Sequence, residues 1–193
     1  RDSIFLAERA VAFLAKMQKS SFSLIDSFCG CGVVGLEILK KNKLNNIKDV
    51  TFIEKNNNFQ DFLIENMKLD SSGVYKNLLW KDFFSVGPND FEGHLKECLV
   101  AINPPYFKQN TSREPLDPNR KMARFFDSNQ SIIHIIKTIS EWRNFTNKNV
   151  LMLFRESEFS IPEISREVES CGFKIEFIEP LDSKTSLISY KSF

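Results

Sequence analysis

The chain has 193 residues, 42% of them hydrophobic and 26% charged, with a formal net charge of +1. This is an ordinary globular composition with room for a sizeable core, and its near-neutral charge leaves any nucleic-acid footprint to a local patch. No apolar run approaches the roughly 20 residues that cross a bilayer, so no membrane partner is expected. No signal-peptide pattern opens the chain, and because it begins at Arg1 a truncated N-terminus is expected. Four cysteines do not suggest a disulfide scaffold. Cys29-x-Cys31 lacks a second ligand pair and only His94 and His134 are available, so no metal site is expected and a reducing, cytoplasmic compartment fits best.

In chain order, residues 2–19 repeat apolar positions at helical spacing, with Asp2 or Ser3 as N-cap. "SFSLIDSF" (21–28) predicts a buried strand, and "GVVGLEILKK" (32–41) a helix leaving a glycine turn. "DVTFIE" (49–54) is the next strand and 57–70 the next helix. Residues 76–84 predict a third strand, 89–97 a short helix or turn, and "CLVAIN" (98–103) a fourth strand. Residues 104–127 carry prolines and charges without a clear period, which predicts a long functional loop. A helix over 128–145, a strand over 148–155, a helix over 160–173 and two strands about a turn at 180–183 complete the chain. Strands alternating with helices predict an α/β sheet, mostly parallel with a C-terminal antiparallel hairpin and helices on both faces. Without repeats or a linker, residues 1–193 are expected to form one domain. His134, within "IIHII", is expected to be a buried, satisfied histidine, and His94 an exposed one.

Between the first strand and first helix, Gly30 and Gly32 can take positive φ and let backbone approach a ligand, while Gly35 allows close helix–sheet packing. Glu54 ends the second strand, where an acid can accept hydrogen bonds from both ribose hydroxyls of an adenosine ligand. A solvated strand-end acid is the alternative. This acid-x-x-x-Gly-x-Gly turn, without a Walker lysine, resembles motif one of class I S-adenosylmethionine (SAM)-dependent methyltransferases, and the resemblance covers nearly the whole chain in element order. It implies a Rossmann-like fold with SAM as cofactor. Asp26, Gly30 and Gly32 would border its methionine part and Glu54 its ribose, with Phe28 and Cys29 also among the cofactor-binding residues. Asp82 would meet the adenine amino group, with Phe83 as an apolar neighbour.

"NPPY" after the fourth strand carries the chemistry. An exocyclic amine is a poor nucleophile because its lone pair is delocalised into the ring. The Asn103 side-chain oxygen and the Pro104 carbonyl can accept its two N–H hydrogens and orient the nitrogen. Pro104 and Pro105 rigidify the elbow, and Tyr106 offers a ring for a planar base or amide to stack on. A strand-capping Pro-Pro turn is the plain alternative for this segment. With Asn103 also bordering the cofactor, these four residues form the expected catalytic set.

"NPPYF" followed by "NRKMARF" (119–125) resembles bacterial tRNA adenine-N6 methyltransferases, as does "RDSIFLAERA", similar to their N-terminal helix beside the SAM pocket. The wording around Asp26 to Glu54 is also similar to RNA guanine-N2 enzymes, and release-factor glutamine methyltransferases share the motif. The resemblance thus implies an RNA partner, tRNA above all, with guanine N2 or protein glutamine as alternative acceptors. A SAM-binding scaffold without turnover is the non-enzyme alternative, which an intact Asn103-Pro104-Pro105-Tyr106 opposes. From Tyr106 to Phe125 five basic residues face two acids, a local net of +3. Phe107, Arg120, Lys121 and Arg124 are the expected substrate contacts, the cations positioning phosphates. A solvated charged loop is the alternative, and Phe125 and Phe126 could either line a base pocket or anchor the loop. Oligomeric state has no signature in the sequence.

Overall fold

The computed structural model describes residues 1–17, 21–91, 96–107, 115–127 and 130–192, without the side chains of 119, 120 and 122. His94 and the loop residues Lys108, Arg113 and Glu114 therefore lie outside the described residues.

Among the described residues seven strands form one sheet: β1 (Phe22–Ser27), β2 (Ile47–Glu54), β3 (Tyr75–Trp80), β4 (Glu97–Ile102), β5 (Asn147–Arg155), β6 (Phe173–Pro180) and β7 (Thr185–Ser192). Their order is β3-β2-β1-β4-β5-β7-β6. The first five pair in parallel, and β7 runs antiparallel between β5 and β6. The C-terminal hairpin turns at Asp182, whose Oδ1 accepts the Lys184 and Thr185 N–H groups at 2.8 Å. An Asx-type turn of this kind closes a hairpin without glycine.

β4 and β5 carry apolar runs because both faces are covered, and β1, buried along its whole length, also takes Ser23, Asp26 and Ser27 into the interior. Alternate side chains enter two separate cores. Leu24, Leu99, Ala101, Leu151 and Leu153 pack with α1 (Asp2–Lys16), α2 (Val33–Lys41) and Leu63 of α3 (Gln60–Leu69). Ile25, Val100, Ile102, Val150 and Met152 pack on the other side with α5 (Ile132–Ser140) and α6 (Ile161–Ser170). The α6 start follows its sequence: the Ser160 hydroxyl accepts the Glu163 N–H and Pro162 occupies the first turn.

Three expectations are corrected. Arg1, not Asp2 or Ser3, is the N-cap of α1, and it makes no side-chain capping bond. The Asp2 and Ser3 side chains are turned instead toward Tyr106 and Asn103. His134 is exposed rather than buried, since α5 buries Ile132, Ile135, Ile136 and Ile139 and the 3.6-residue period leaves position 134 outside. Its Nδ1 pairs with Ser131 Oγ at 3.0 Å. The expected loop over 104–127 contains a helix, α4 (Pro118–Arg124), with proline at its first position. The ends of that segment are joined: the Tyr106 and Phe107 N–H groups both donate to Arg124 O at 3.0 Å, and Phe126 N–H donates to Phe107 O at 2.9 Å.

Candidate active site

Strand order reverses between β1 and β4, where connections depart in opposite directions and leave a crevice at the carboxyl ends. Ser27 is paired with Ile102, so the turn after β1 and the Asn103 elbow after β4 are neighbours by register. A cavity of about 250 Å³ lies there, bounded by Phe28, Gly30, Glu54, Asn103 and Pro105, with Ser3 of α1 on its wall.

The glycine turn is tightly wound. Phe28, Gly30 and Gly32 all take positive φ, at 57°, 54° and 82°. The two glycines have different reasons to be glycine. A Cβ on Gly30 would meet nothing within 4 Å, so its missing side chain leaves open space in the cavity wall. A Cβ on Gly32 would lie 2.5 Å from Leu63 Cδ1, so that glycine serves packing of the turn against α3. Gly35 does what its position predicts: a Cβ would sit 2.6 Å from the Phe52 ring, which lies against the helix.

The two acids also divide. Asp26 is buried beneath the turn at 1% exposure and bounds no part of the cavity. Its Oδ2 accepts the Gly35 N–H at 2.7 Å, while Oδ1 has no hydrogen-bond partner among the described residues. Burial pushes its carboxyl up to about 7; the Gly35 N–H opposes this and the nearby Glu54 charge adds to it. Glu54 faces the cavity. Its Oε2 accepts the Gly30 N–H at 2.9 Å and its Oε1 the Asn56 N–H at 2.8 Å. Each carboxylate oxygen has two lone-pair sites, so one on each remains for a ligand hydroxyl. Cys29 is packed into the turn, and burial, with the Asp26 and Glu54 charges, holds its thiol well above the ordinary range. It stays protonated and is no nucleophile.

Asp82 and Phe83 follow β3. Asp82 Oδ1 accepts the Phe84 N–H at 3.0 Å, and its Oδ2 meets Gln130 Nε2 at 3.2 Å and Lys55 Nζ at 3.5 Å. Lys55 and Gln130 both line the cavity, and Lys55 Nζ also pairs with Asp127 at 2.6 Å. Phe83 is buried behind the wall, its ring 4.9 Å from that of Phe28.

At the other end of the cavity, the Asn103 amide lies 3.0 Å from Ser3 Oγ and 2.6 Å from the Tyr106 hydroxyl, which also reaches Asp2 Oδ2 at 3.0 Å. Burial, reinforced by Asp2, raises the phenol above its ordinary value and keeps it a hydrogen-bond donor. Pro104 and Pro105 are buried, and Phe125 and Phe126 are buried anchors, Phe125 also reaching the cavity wall. Outside the elbow, Arg155 stands 5.1 Å over the Tyr106 ring and 5.3 Å over Phe107, while Arg124 stands 5.5 Å from Phe107. Arg124 is exposed and Lys121 partly so; the Arg120 side chain lies outside the described residues.

Sequence reasoning did not single out Lys55, Gln130 or Arg155. Arg155 ends β5, the strand beside β4, and that position was the available signal.

No protein-family model matches the chain, and no curated protein matches it in sequence. Solved structures do. Magnesium protoporphyrin IX methyltransferase (ChlM) from Synechocystis PCC 6803, solved with bound SAM, superposes with a TM-score of 0.65 at 10% identity over 98% of this chain and 79% of its own. Ribosomal protein L11 methylase from Lactobacillus delbrueckii subsp. bulgaricus gives 0.59 at 12% identity, over 97% and 77%. TrmN from Thermus thermophilus gives 0.59 at 14% identity, over 96% of this chain but 48% of its own. These likenesses establish the architecture: the chain has the Rossmann-like fold of class I SAM-dependent methyltransferases, with its cavity at the switch point of the sheet.

Proposed function

We propose that the protein is a SAM-dependent N-methyltransferase acting on an exocyclic amine of RNA, with adenine N6 of a tRNA as the target. The observation that carries this reading is the Asn103 amide on the wall of the same cavity that Gly30 and Glu54 border. The cavity's chemistry fits the cofactor. Gly30 leaves open space at the turn, and Glu54 keeps a lone pair on each oxygen for the ribose hydroxyls. Asp82 would accept from the adenine amino group, with Phe28 as apolar wall and Phe83 behind it. Asp26 and Gly32 act from beneath, by holding the shape of the turn.

A bound SAM would supply a sulfonium-activated methyl carbon whose carbon–sulfur electrons leave with the thioether sulfur; the amine therefore needs no strong base before transfer, and the methylated nitrogen gives up one N–H proton to water afterwards. The protein's part is orientation. The Asn103 oxygen and Pro104 carbonyl accept the two N–H hydrogens of the amine and turn its lone pair toward the cofactor end of the cavity. Both prolines hold that elbow, as does the pairing of residues 106 and 107 with Arg124.

RNA as acceptor is supported by the cations outside the elbow. Lys121, Arg124 and Arg155 suit a phosphate backbone, and the Phe107 ring, packed on Phe125, lies within reach of both guanidinium groups. The choice of adenine N6 rests on "NPPYF" with the 119–125 segment. Four free cysteines are compatible with a cytoplasmic setting, and among the described residues no helix is long and apolar enough to cross a membrane. The test is tritiated-methyl transfer to tRNA, rRNA, DNA and protein in parallel, followed by nucleoside analysis. N6-methyladenosine in tRNA is the expected product; N2-methylguanosine or methylated release factor would move the reading to those branches.

A further inference from the structure

The Tyr106 hydroxyl has one proton and faces two oxygens that can only accept: Asp2 Oδ2 at 3.0 Å and the Asn103 amide oxygen at 2.6 Å. One proton cannot serve both. The oxygen and nitrogen of an asparagine amide are nearly identical in shape and are assigned from the partners they meet. Exchanging them at Asn103 completes every bond. The amide N–H then donates to the Tyr106 oxygen across the 2.6 Å contact, at the short limit for such a bond, the phenol donates to Asp2 at 3.0 Å, and Ser3 Oγ–H donates to the amide oxygen across the other 3.0 Å contact.

We propose that Asp2 is a positioning residue: through Tyr106 it fixes the Asn103 side chain with its carbonyl oxygen turned to Ser3 and the cavity. Its importance rests on the function proposed above. An amine offers hydrogens, so the amide must present its oxygen; turned the other way, an NH₂ group would confront the amine's own N–H. The N-cap position of α1 falls at Arg1, and the Asp2 carboxylate is directed to the Tyr106 hydroxyl. The chain Asp2–Tyr106–Asn103–Ser3 thus ties the first turn of α1 to the elbow after β4, 104 residues away at Tyr106.

The experiment compares Asp2→Ala and Asp2→Asn in the full chain, with Asn103→Ala to assign the Asn103 side-chain amide signals in ¹⁵N-asparagine-labelled protein. Asp2→Ala should lower kcat roughly 10- to 100-fold while KM and SAM affinity stay near wild type, and should shift the Asn103 amide signals and speed their solvent exchange. Asp2→Asn should recover most of both effects, since its amide oxygen still accepts from the phenol. A merely electrostatic role at the helix start would leave Asn as impaired as Ala, and that result overturns the proposal. So do Asn103 signals indifferent to Asp2→Ala. Should the wild-type chain methylate no amine in any pool, the functional reading fails, while the amide signals still decide the hydrogen-bond chain.

Discussion

Asp26→Asn offers a test of the turn beneath the cavity that needs no substrate. In the folded protein the Asp26 carboxyl is raised from 3.8 to about 7, first by burial. Below about pH 3.8 it is protonated in both folded and unfolded chains. Between that value and about 7 the unfolded chain has released its proton and the folded one has kept it, so stability falls as pH rises. Above 7 both are ionised and the loss is complete. The interval spans about three pH units at ~1.4 kcal/mol each, a total of about 4 kcal/mol. Asparagine keeps an oxygen for the Gly35 N–H and carries no charge to bury. Urea unfolding of both proteins from pH 4.5 to 8 should therefore show the wild type losing ground to the variant with rising pH and levelling near pH 7 to 8. Parallel stability curves across that range would refute the reasoning, because they would mean that Asp26 titrates as it does in the unfolded chain.

The two turn glycines should fail differently. Gly32→Ala should destabilise by roughly 1–3 kcal/mol through the clash with Leu63, whereas Gly30→Ala should cost about 1 kcal/mol from its positive φ and chiefly weaken SAM binding. Urea unfolding and calorimetry would show equal patterns for the two if this division were wrong. Glu54→Ala should weaken SAM binding by roughly 1–3 kcal/mol, as two charge-assisted hydrogen bonds to the ribose are lost; unchanged affinity by calorimetry would remove Glu54 from the cofactor site. Alanine at Arg120, Lys121 and Arg124 together should weaken tRNA binding with SAM affinity intact, and the deficit should shrink as salt rises. A deficit constant across a salt series would exclude phosphate contacts there.

The sheet was legible because its signals are local. Apolar runs in β4 and β5 mark strands buried on both faces, and Gly35 announced the close contact with Phe52. Burial of individual polar groups was not legible, because it depends on which elements lie above them. Asp26 and Glu54 look alike as strand-end acids, yet one is sealed under the turn and the other opens on the cavity. The side of α5 that carries His134 depended on a phase that five neighbouring isoleucines and one histidine did not reveal one residue at a time. Tyr106 read as a stacking ring, for which Tyr106→Phe would be mild. With its hydroxyl between Asp2 and Asn103, that substitution is expected to cost turnover. No local pattern could supply a contact across 104 residues.

In the proposed reaction Asn103 acts on the acceptor amine and not on the cofactor. Asn103→Ala measured for both SAM affinity and methyl transfer to tRNA tests it most directly. SAM affinity should stay near wild type while turnover is lost. Normal methyl transfer by this variant, or wild-type protein that binds no SAM in the calorimeter, would contradict it.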